Sequence, residues 1–380
     1  MAESIPEKNP AETKRPKLTR FKESLHDGFV DHLQPVHPLD LSKINSVDEL
    51  VRGMEKTAFA GRNVGEAADT LYTMVKDSEC AVVLTVSGAM TIAKMGLVMC
   101  EMIDRGMVQA IVSTGALMAH GFVEGAGMTH FKYKPGMKDA DMYQIGYNRV
   151  YDTIELEKNL DDAEKIMATV LSSMDHRKPT CSREINQALG KHLKETTEGR
   201  AILKSAHEKN VPIYIPAFTD SEFGLDFSFY NMDRERRGES RLVFDPFLDL
   251  NHFKDFIMEQ KRLGIFTIGG GVPRNWAQQV APYIDLIRFH TAEPERYRLE
   301  TGSKYDKRYS YGVRICPEPT HWGGLSGCTY SEGVSWGKFL SPKDGGQWTE
   351  VYADASIAWP LVVKAVMERL EADEARGHKL

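Results

Sequence analysis

Short apolar runs, each closed by a small or polar cluster and followed by a helical pattern, recur along most of this chain. Ala81–Thr85 (AVVLT) is the first run; it ends at Ser87-Gly88-Ala89, and Thr91–Arg105 reads as the helix after it. Val108–Val112 ends in Ser113-Thr114-Gly115-Ala116, Val211–Ile215 in Pro216-Ala217-Phe218-Thr219-Asp220, and Gly264–Ile268 in Gly269-Gly270-Gly271-Val272-Pro273. Asp285–Phe289 reads as a further strand closing on Thr291-Ala292, and Tyr352 leads into Asp354-Ala355-Ser356, which opens the last helix. Uniformly apolar strands alternating with helices predict a mostly parallel sheet covered on both faces. Upstream, Ser46-Val47-Asp48-Glu49 is a capping box, and Leu50, Met54 and Ala58 are spaced for one face of the helix it starts. Residues 64–77 read as another helix. Residues 1–20 are polar, with Pro6, Pro10 and Pro16 among Glu, Lys and Thr, and are expected to be disordered. The least regular regions are 131–158 and 293–330; a loop that long inside a domain is usually functional or mobile.

Composition narrows the class. The 380 residues are 42% hydrophobic and 27% charged, ordinary for a soluble globular protein, and the formal charge of −6 argues against a nucleic-acid binder, which needs a basic face. Cys80, Cys100, Cys181, Cys316 and Cys328 are scattered and form no CxxC pair, so reduced thiols in a cytoplasmic protein, without a metal site, are expected. No apolar run approaches the roughly 18 residues that a membrane span needs, and no secretory h-region is expected at the N-terminus.

In open parallel sheets, ligands bind beyond the carboxyl ends of the strands. The clusters Ser87-Gly88, Thr114-Gly115, Thr219-Asp220, Gly269 to Gly271, Thr291-Ala292 and Asp354-Ala355 all fall there. Glycine lets backbone amides reach a pyrophosphate, and a following helix N-terminus favours its charge. Their repetition predicts a dinucleotide crevice. It is a prediction from layout, because no GxGxxG fingerprint is present.

The segment Glu332-Gly333-Val334-Ser335-Trp336-Gly337-Lys338-Phe339 concentrates the candidate chemistry. A lysine becomes nucleophilic when its ammonium form is disfavoured by an apolar wall or a nearby cation. Trp336 would supply the wall, and Gly337 would let a substrate approach the backbone. The string resembles the active-site segment of deoxyhypusine synthase, in which the lysine after Ser-Trp-Gly forms an imine with an aminobutyl group. The resemblance covers residues 45–370, with this segment, the triple glycine and Tyr-Ala-Asp-Ala-Ser (352–356) as its most specific parts. It implies a Rossmann-like three-layer α/β domain over residues 21–380, with a helical N-terminal part (21–78) and an NAD-binding catalytic core (79–380). It further implies a homotetramer with active sites at a dimer interface, the N-terminal segment capping a neighbour's site. By the same resemblance Lys338 is the covalent catalytic residue and NAD is held by Ser87, Gly88, Thr114, Gly115, Asp220, Thr291, Ala292, Asp354 and Ala355. Substrate contacts fall to Glu332, Trp336, Asn275, Gly270, Asp226 and His120.

Departures from the family pattern sharpen the reading. Asn275 stands where the family has a histidine four residues beyond the triple glycine, and asparagine cannot titrate. Leu325 replaces an aspartate, Ala119-His120 replaces a Glu-Glu pair, and the second family aspartate near Asp220 aligns with Leu225, one residue from Asp226. This pattern resembles the bacterial deoxyhypusine-synthase-like branch, whose members act on free amines: joining two agmatines into 1,9-bis(guanidino)-5-azanonane, or making homospermidine from putrescine-type donors. A guanidinium stacks on aromatics, and Trp276, Trp322, Tyr330 and Trp336 would provide faces, with Glu222 and Glu332 as charge partners. The resemblance thus implies an NAD-dependent alkylamine transferase acting on a small polyamine or guanidino-amine. The alternatives are a true deoxyhypusine synthase, whose partner is a translation factor; a non-catalytic NAD-binding protein; and a simple NAD dehydrogenase, which would not need Lys338.

Overall fold

The computed structural model describes residues 25–290 and 307–376. Residues 1–20, expected to be disordered, and Thr291 and Ala292, expected at a strand end, lie outside the described residues. The chain divides into two units, Met1–Pro38 and Leu39–Leu380. In the first, a turn is closed by Leu33 N–H donating to Gly28 O (3.0 Å), and His26 Nδ1 lies 2.8 Å from Asp31 Oδ2.

In the second unit the strands are, in chain order, β1 (Cys80–Val86), β2 (Ala110–Ser113), β3 (Phe131–Lys132), β4 (Tyr147–Val150), β5 (Thr153–Leu156), β6 (Ile213–Tyr214), β7 (Arg262–Ile268), β8 (Tyr311–Ile315) and β9 (Gln347–Val351). Six of them form one sheet in the order β6-β2-β1-β7-β8-β9, and every pairing in it is parallel. Counted along the chain within that sheet, the order is 3-2-1-4-5-6, that of doubly wound nucleotide-binding folds. Apolar side chains leave each strand alternately to the two faces. Val82, Leu84 and Val86 join one buried cluster with Leu71 and Met74 of the helix Phe59–Lys76, Leu117 of Gly115–Gly125, Ile185 of Ser182–Thr196 and Trp359 of Ala355–Ala375. Val83 joins the other, with Phe253 of Pro246–Glu259, Ala277 of Gly271–Gln278 and Ile284 of Val280–His290. Helices therefore cover both faces, as the continuous apolar runs predict. The three-layer α/β fold stands.

The N-terminal helices form where the capping box predicts. Ser46 Oγ accepts from Glu49 N–H (3.1 Å) at the start of Val47–Glu55. That helix ends before Ala58, which instead precedes Phe59–Lys76, so Ala58 does not share a face with Leu50 and Met54. The helix expected over Thr91–Arg105 begins only at Gly96, after a turn in which Lys94 is left-handed (φ 64°).

One strand is a correction. Asp285–Phe289 lies inside the helix Val280–His290, whose buried Val280, Ala281 and Ile284 recur at helical spacing. The place beside β7 belongs to β8, Tyr311–Ile315. A short apolar run does not by itself distinguish strand from buried helix. The irregular region 131–158 holds a small antiparallel sheet, β3-β5-β4, and β9 also went unread.

Gly264 shows how closely the layers meet: a Cβ on it would lie 2.2 Å from Met74 Sδ, in the helix packed above β7. Gly264→Val should therefore overpack the seam and cost roughly 1–3 kcal/mol, read as a lower midpoint in urea denaturation. An unchanged midpoint would mean that Met74 yields without strain.

Candidate active site

The sheet reverses direction of growth between β1 and β7, and their carboxyl ends are stitched together. Thr85 and Thr267 hydroxyls hydrogen-bond across the seam (2.9 Å), Ser87 N–H donates to Ile268 O (3.0 Å), and Gly270 N–H donates to Ser87 Oγ (2.8 Å). Gly88 (φ 78°) and Gly269 (φ 77°) hold left-handed conformations that L side chains rarely adopt, so both turns call for glycine. Next along the edge, the helix Gly115–Gly125 starts directly after Thr114, and Ser221 Oγ stands 2.3 Å from where a Gly115 Cβ would be. Asp220 is exposed beyond β6. Asp354 caps the last helix, accepting from Ser356 N–H at 2.9 Å, with Ala355 buried behind it. Ser87 and Gly88 thus stand at the switch point, Thr114 and Gly115 one strand away, and Asp220, Asp354 and Ala355 beyond the carboxyl ends of the two edge strands of the same sheet.

The lysine segment follows from helix-termination chemistry. The helix Tyr330–Ser335 begins with Thr329 Oγ1 accepting from Glu332 N–H (3.0 Å). It ends in a Schellman motif: Trp336 is the C-cap, left-handed Gly337 (φ 67°) donates to Val334 O, and Lys338 N–H donates to Gly333 O (3.0 Å). Gly337 reverses the chain in left-handed backbone, with open space where a Cβ would stand. Lys338 is then fixed by Tyr309 N–H donating to its carbonyl (2.9 Å). Its side chain turns inward, 9% exposed, and Nζ donates to Asn275 Oδ1 at 3.1 Å. The Trp336 ring is 5.9 Å from Nζ and largely exposed. Lys338, Asn275, Glu332, Trp336, Leu325, Cys328, Arg274 and Gly271 line a pocket of about 210 Å³. Burial first, then the Arg274 guanidinium, hold the Lys338 ammonium below its ordinary pKa, while Cys328 and Glu332 pull the other way. Burial and Arg274 both favour the free-amine form of the lysine over its ammonium.

A second cluster lies on the β2–β6 side. His120 Nδ1 is 3.2 Å and His130 Nε2 2.5 Å from Glu155 Oε2, and His120 Nε2 is 3.6 Å from Glu222 Oε1. Asn159 and Leu156 N–H donate to Glu155 Oε1, both at 2.8 Å. Burial opposes ionisation of Glu155, but His120, His130 and Asn159 outweigh it and hold the carboxylate below its usual range. His120, His130 and Glu155 present donor atoms within 4.8 Å of one another, as a metal centre would. However, Lys94 Nζ stands 2.7 Å from His130 Nδ1. Nε2 of the same ring faces Glu155 Oε2 but is buried without a hydrogen bond of good geometry, so the two histidines and Lys94 surround one buried carboxylate. Nearby, burial, with Glu164 and Glu222, pushes Asp226 up to about 7.

Other expectations are redistributed. Gly270 is buried, with Ser326 Cα 2.5 Å from where its Cβ would stand, so its lack of a side chain admits the approach to the lysine segment. Tyr330 is fully buried and offers no open aromatic face, and half-buried Trp276 packs on Tyr214 and Phe253. Trp322 is exposed on a separate turn. Sequence reasoning missed Arg274, Glu155 and His130. The first had a signal: Arg274 falls on the same helical face as buried Ala277 and Gln278, where a charge is out of place.

Comparison with known proteins agrees with this geometry. The deoxyhypusine synthase family model matches residues 49–366. A protein of Methanosarcina acetivorans named probable deoxyhypusine synthase 2 is 32% identical over 346 residues, 90% of this chain and 92% of the relative. A deoxyhypusine synthase-like protein of Chlorobaculum parvum is 31% identical over 331 residues, 87% of this chain and 88% of the relative. The crystal structure of a putative deoxyhypusine synthase from Entamoeba histolytica superposes with a TM-score of 0.55 at 17% identity, covering 88% of this chain and 97% of that one, and shows the shared fold. Members of this family are transferases, NAD-dependent in general, that act on polyamines and are generally homotetramers. No helix among the described residues is long and apolar enough to cross a membrane. With the seam, the lysine pocket and these matches together, the chain belongs to the deoxyhypusine synthase family and is a transferase.

Proposed function

We propose that this chain is an NAD-dependent alkylamine transferase that uses Lys338 covalently and takes a small free amine, such as agmatine or putrescine, as donor and acceptor. The observation that carries the reading is Lys338 Nζ, buried beside a non-titrating partner at 3.1 Å, in a pocket that begins at Gly271 of the switch-point glycines. The residues fit a dinucleotide: left-handed glycines at 88 and 269, an unobstructed Gly271 and the start of the helix Gly115–Gly125 offer close backbone approach. Ser87, Gly88, Thr114, Gly115, Asp220, Asp354 and Ala355 would hold it. When bound, NAD supplies the hydride acceptor for oxidation of the donor amine and the hydride donor for the closing reduction.

The chain's own residues do the rest. The neutral Lys338 amine attacks the oxidised carbon, expels the first amine and holds the alkyl group as an imine; the acceptor amine then displaces the lysine, so net redox change is zero. Asn275 orients Nζ in either protonation state, since it only accepts from it. The exposed Trp336 ring, 5.9 Å from Nζ, suits a guanidinium or ammonium stacked on its face, with Glu332 as counter-charge. Leu325, in place of a carboxylate, leaves that pocket one charge short of what a triamine would call for, which favours a small free amine.

Incubating the chain with NAD and each of agmatine, putrescine and spermidine, with borohydride trapping and mass spectrometry, tests this. A coupled amine and an adduct on Lys338 are expected, and both should vanish in Lys338→Ala while NAD binding survives. An adduct from spermidine alone, without product, would point to a protein acceptor instead; turnover by Lys338→Ala would remove the covalent lysine. Gly337→Ala meets no neighbour but forces an L residue into left-handed backbone. It should cost about 1 kcal/mol in stability and at least tenfold in adduct formation by displacing Nζ from Asn275. Adduct formation at the parent rate would separate the Schellman turn from lysine placement.

A further inference from the structure

Arg274 is 3% exposed on the helix Gly271–Gln278, one residue before the hydrogen-bond partner of Lys338 and on the wall of the same pocket. Its Nε and Nη1 are sealed from solvent and meet no acceptor, and no carboxylate pairs with it among the described residues. Its guanidinium instead lies over the Tyr330 ring, 5.1 Å from the centroid. Glu350, whose charge bears on Arg274, is already engaged: its Oε1 accepts Tyr330 N–H at 2.8 Å, and Oε2 lies 3.4 Å from Nη2 of the equally buried Arg314. A guanidinium does not shed its proton in a protein. The pocket wall therefore holds a buried cation that no carboxylate among the described residues pairs with, an arrangement that costs stability unless the charge serves another purpose.

We propose that Arg274 activates Lys338 as a nucleophile by favouring its free-amine form, acting alongside burial as a fixed cation in the wall of its pocket with no carboxylate partner among the described residues. The inference rests on the reading of Lys338 as the nucleophile and names what activates it. The charged and titratable groups bearing on Nζ are Arg274 from the helix Gly271–Gln278, Cys328 from the loop before the lysine helix, and Glu332 from that helix. Glu332 opposes Arg274, but it is exposed and its field is screened by water, whereas the buried guanidinium acts through protein. Burial and Arg274 act in the same direction on the ammonium, in that order. A depressed lysine pKa means that the free amine persists to lower pH, so removing the cation should raise the pH at which Lys338 becomes reactive.

The experiment is competitive labelling of the intact chain with acetic anhydride across a pH series, quantifying Lys338 by peptide mass spectrometry against exposed Lys343. It needs neither cofactor nor amine substrate. Arg274→Met keeps the bulk and removes the charge; its Lys338 midpoint should move up by about one pH unit, a roughly tenfold loss of labelling at neutral pH, with the alkaline plateau retained. Arg274→Lys should bring the midpoint back towards the parent value. Arg274→Gln serves as a second neutral variant if Arg274→Met does not fold, judged by circular dichroism. An unmoved midpoint in a folded neutral variant overturns the proposal, as does a shift that Arg274→Lys does not reverse. A midpoint that follows the charge while no amine is ever coupled would leave this inference standing and sink the transfer reading, so the two fail separately.

Discussion

Seven residues of β1 and seven of β7 lie side by side, from Cys80 with Arg262 to Val86 with Ile268, and chain growth in the sheet reverses between them. Above that pairing the two strand ends must part, because the segments leaving them run to different helices. Ser87 closes the gap by accepting from Gly270 N–H (2.8 Å), and the left-handed glycines on each side keep the backbone open. The same seam reaches the lysine: Thr267, paired with Thr85, also lies 3.5 Å from the hydroxyl of Tyr330, the residue that begins the lysine helix. Tyr330 in turn carries Arg274 on its face. Sheet register, crevice, lysine and buried cation are thus linked through one short run of contacts, and a shift in any of them would be felt by the others.

What the sequence revealed and what it withheld divide along the same physical line. Features encoded locally were legible. The runs at Ala81–Thr85 and Gly264–Ile268, the glycines and hydroxyls that end them, the Ser46 capping box and the Trp-Gly-Lys string all state their role within a few residues. Features made by distant partners were not. Asp285–Phe289 is apolar enough for a strand, and only the competing pairing of β8 with β7 decides that it is helix. Tyr330 looked like an open aromatic face because nothing near it in sequence says that Phe339 and Arg274 will enclose it. Glu155 is meaningless until β5 brings it to His120 and His130, 35 and 25 positions earlier in the chain.

Charge is divided along the ligand-binding edge. The β2–β6 side carries ionised Glu155 with Glu222 and Asp226, suited to holding an ammonium; the β7–β8 side carries Arg274, without a carboxylate partner among the described residues, in the same pocket as Lys338. An amine site needs both characters. Protonated ends of a substrate need carboxylates, whereas the attacking lysine must not be protonated, and one uniform field cannot satisfy both demands.

Asn275 completes that division. Had a histidine stood there, its titration would couple to that of Lys338, and the observed ionisations would belong to the pair. An amide has no such equilibrium. Its oxygen accepts from Nζ whether the lysine is an ammonium or an amine, so orientation is kept while charge varies. Control of the lysine's protonation then passes to burial and to fixed neighbouring charges, of which Arg274 is the least screened. Asparagine in place of the family's histidine and an arginine with no carboxylate partner among the described residues are two parts of one arrangement: the group that positions the nucleophile does not set its charge.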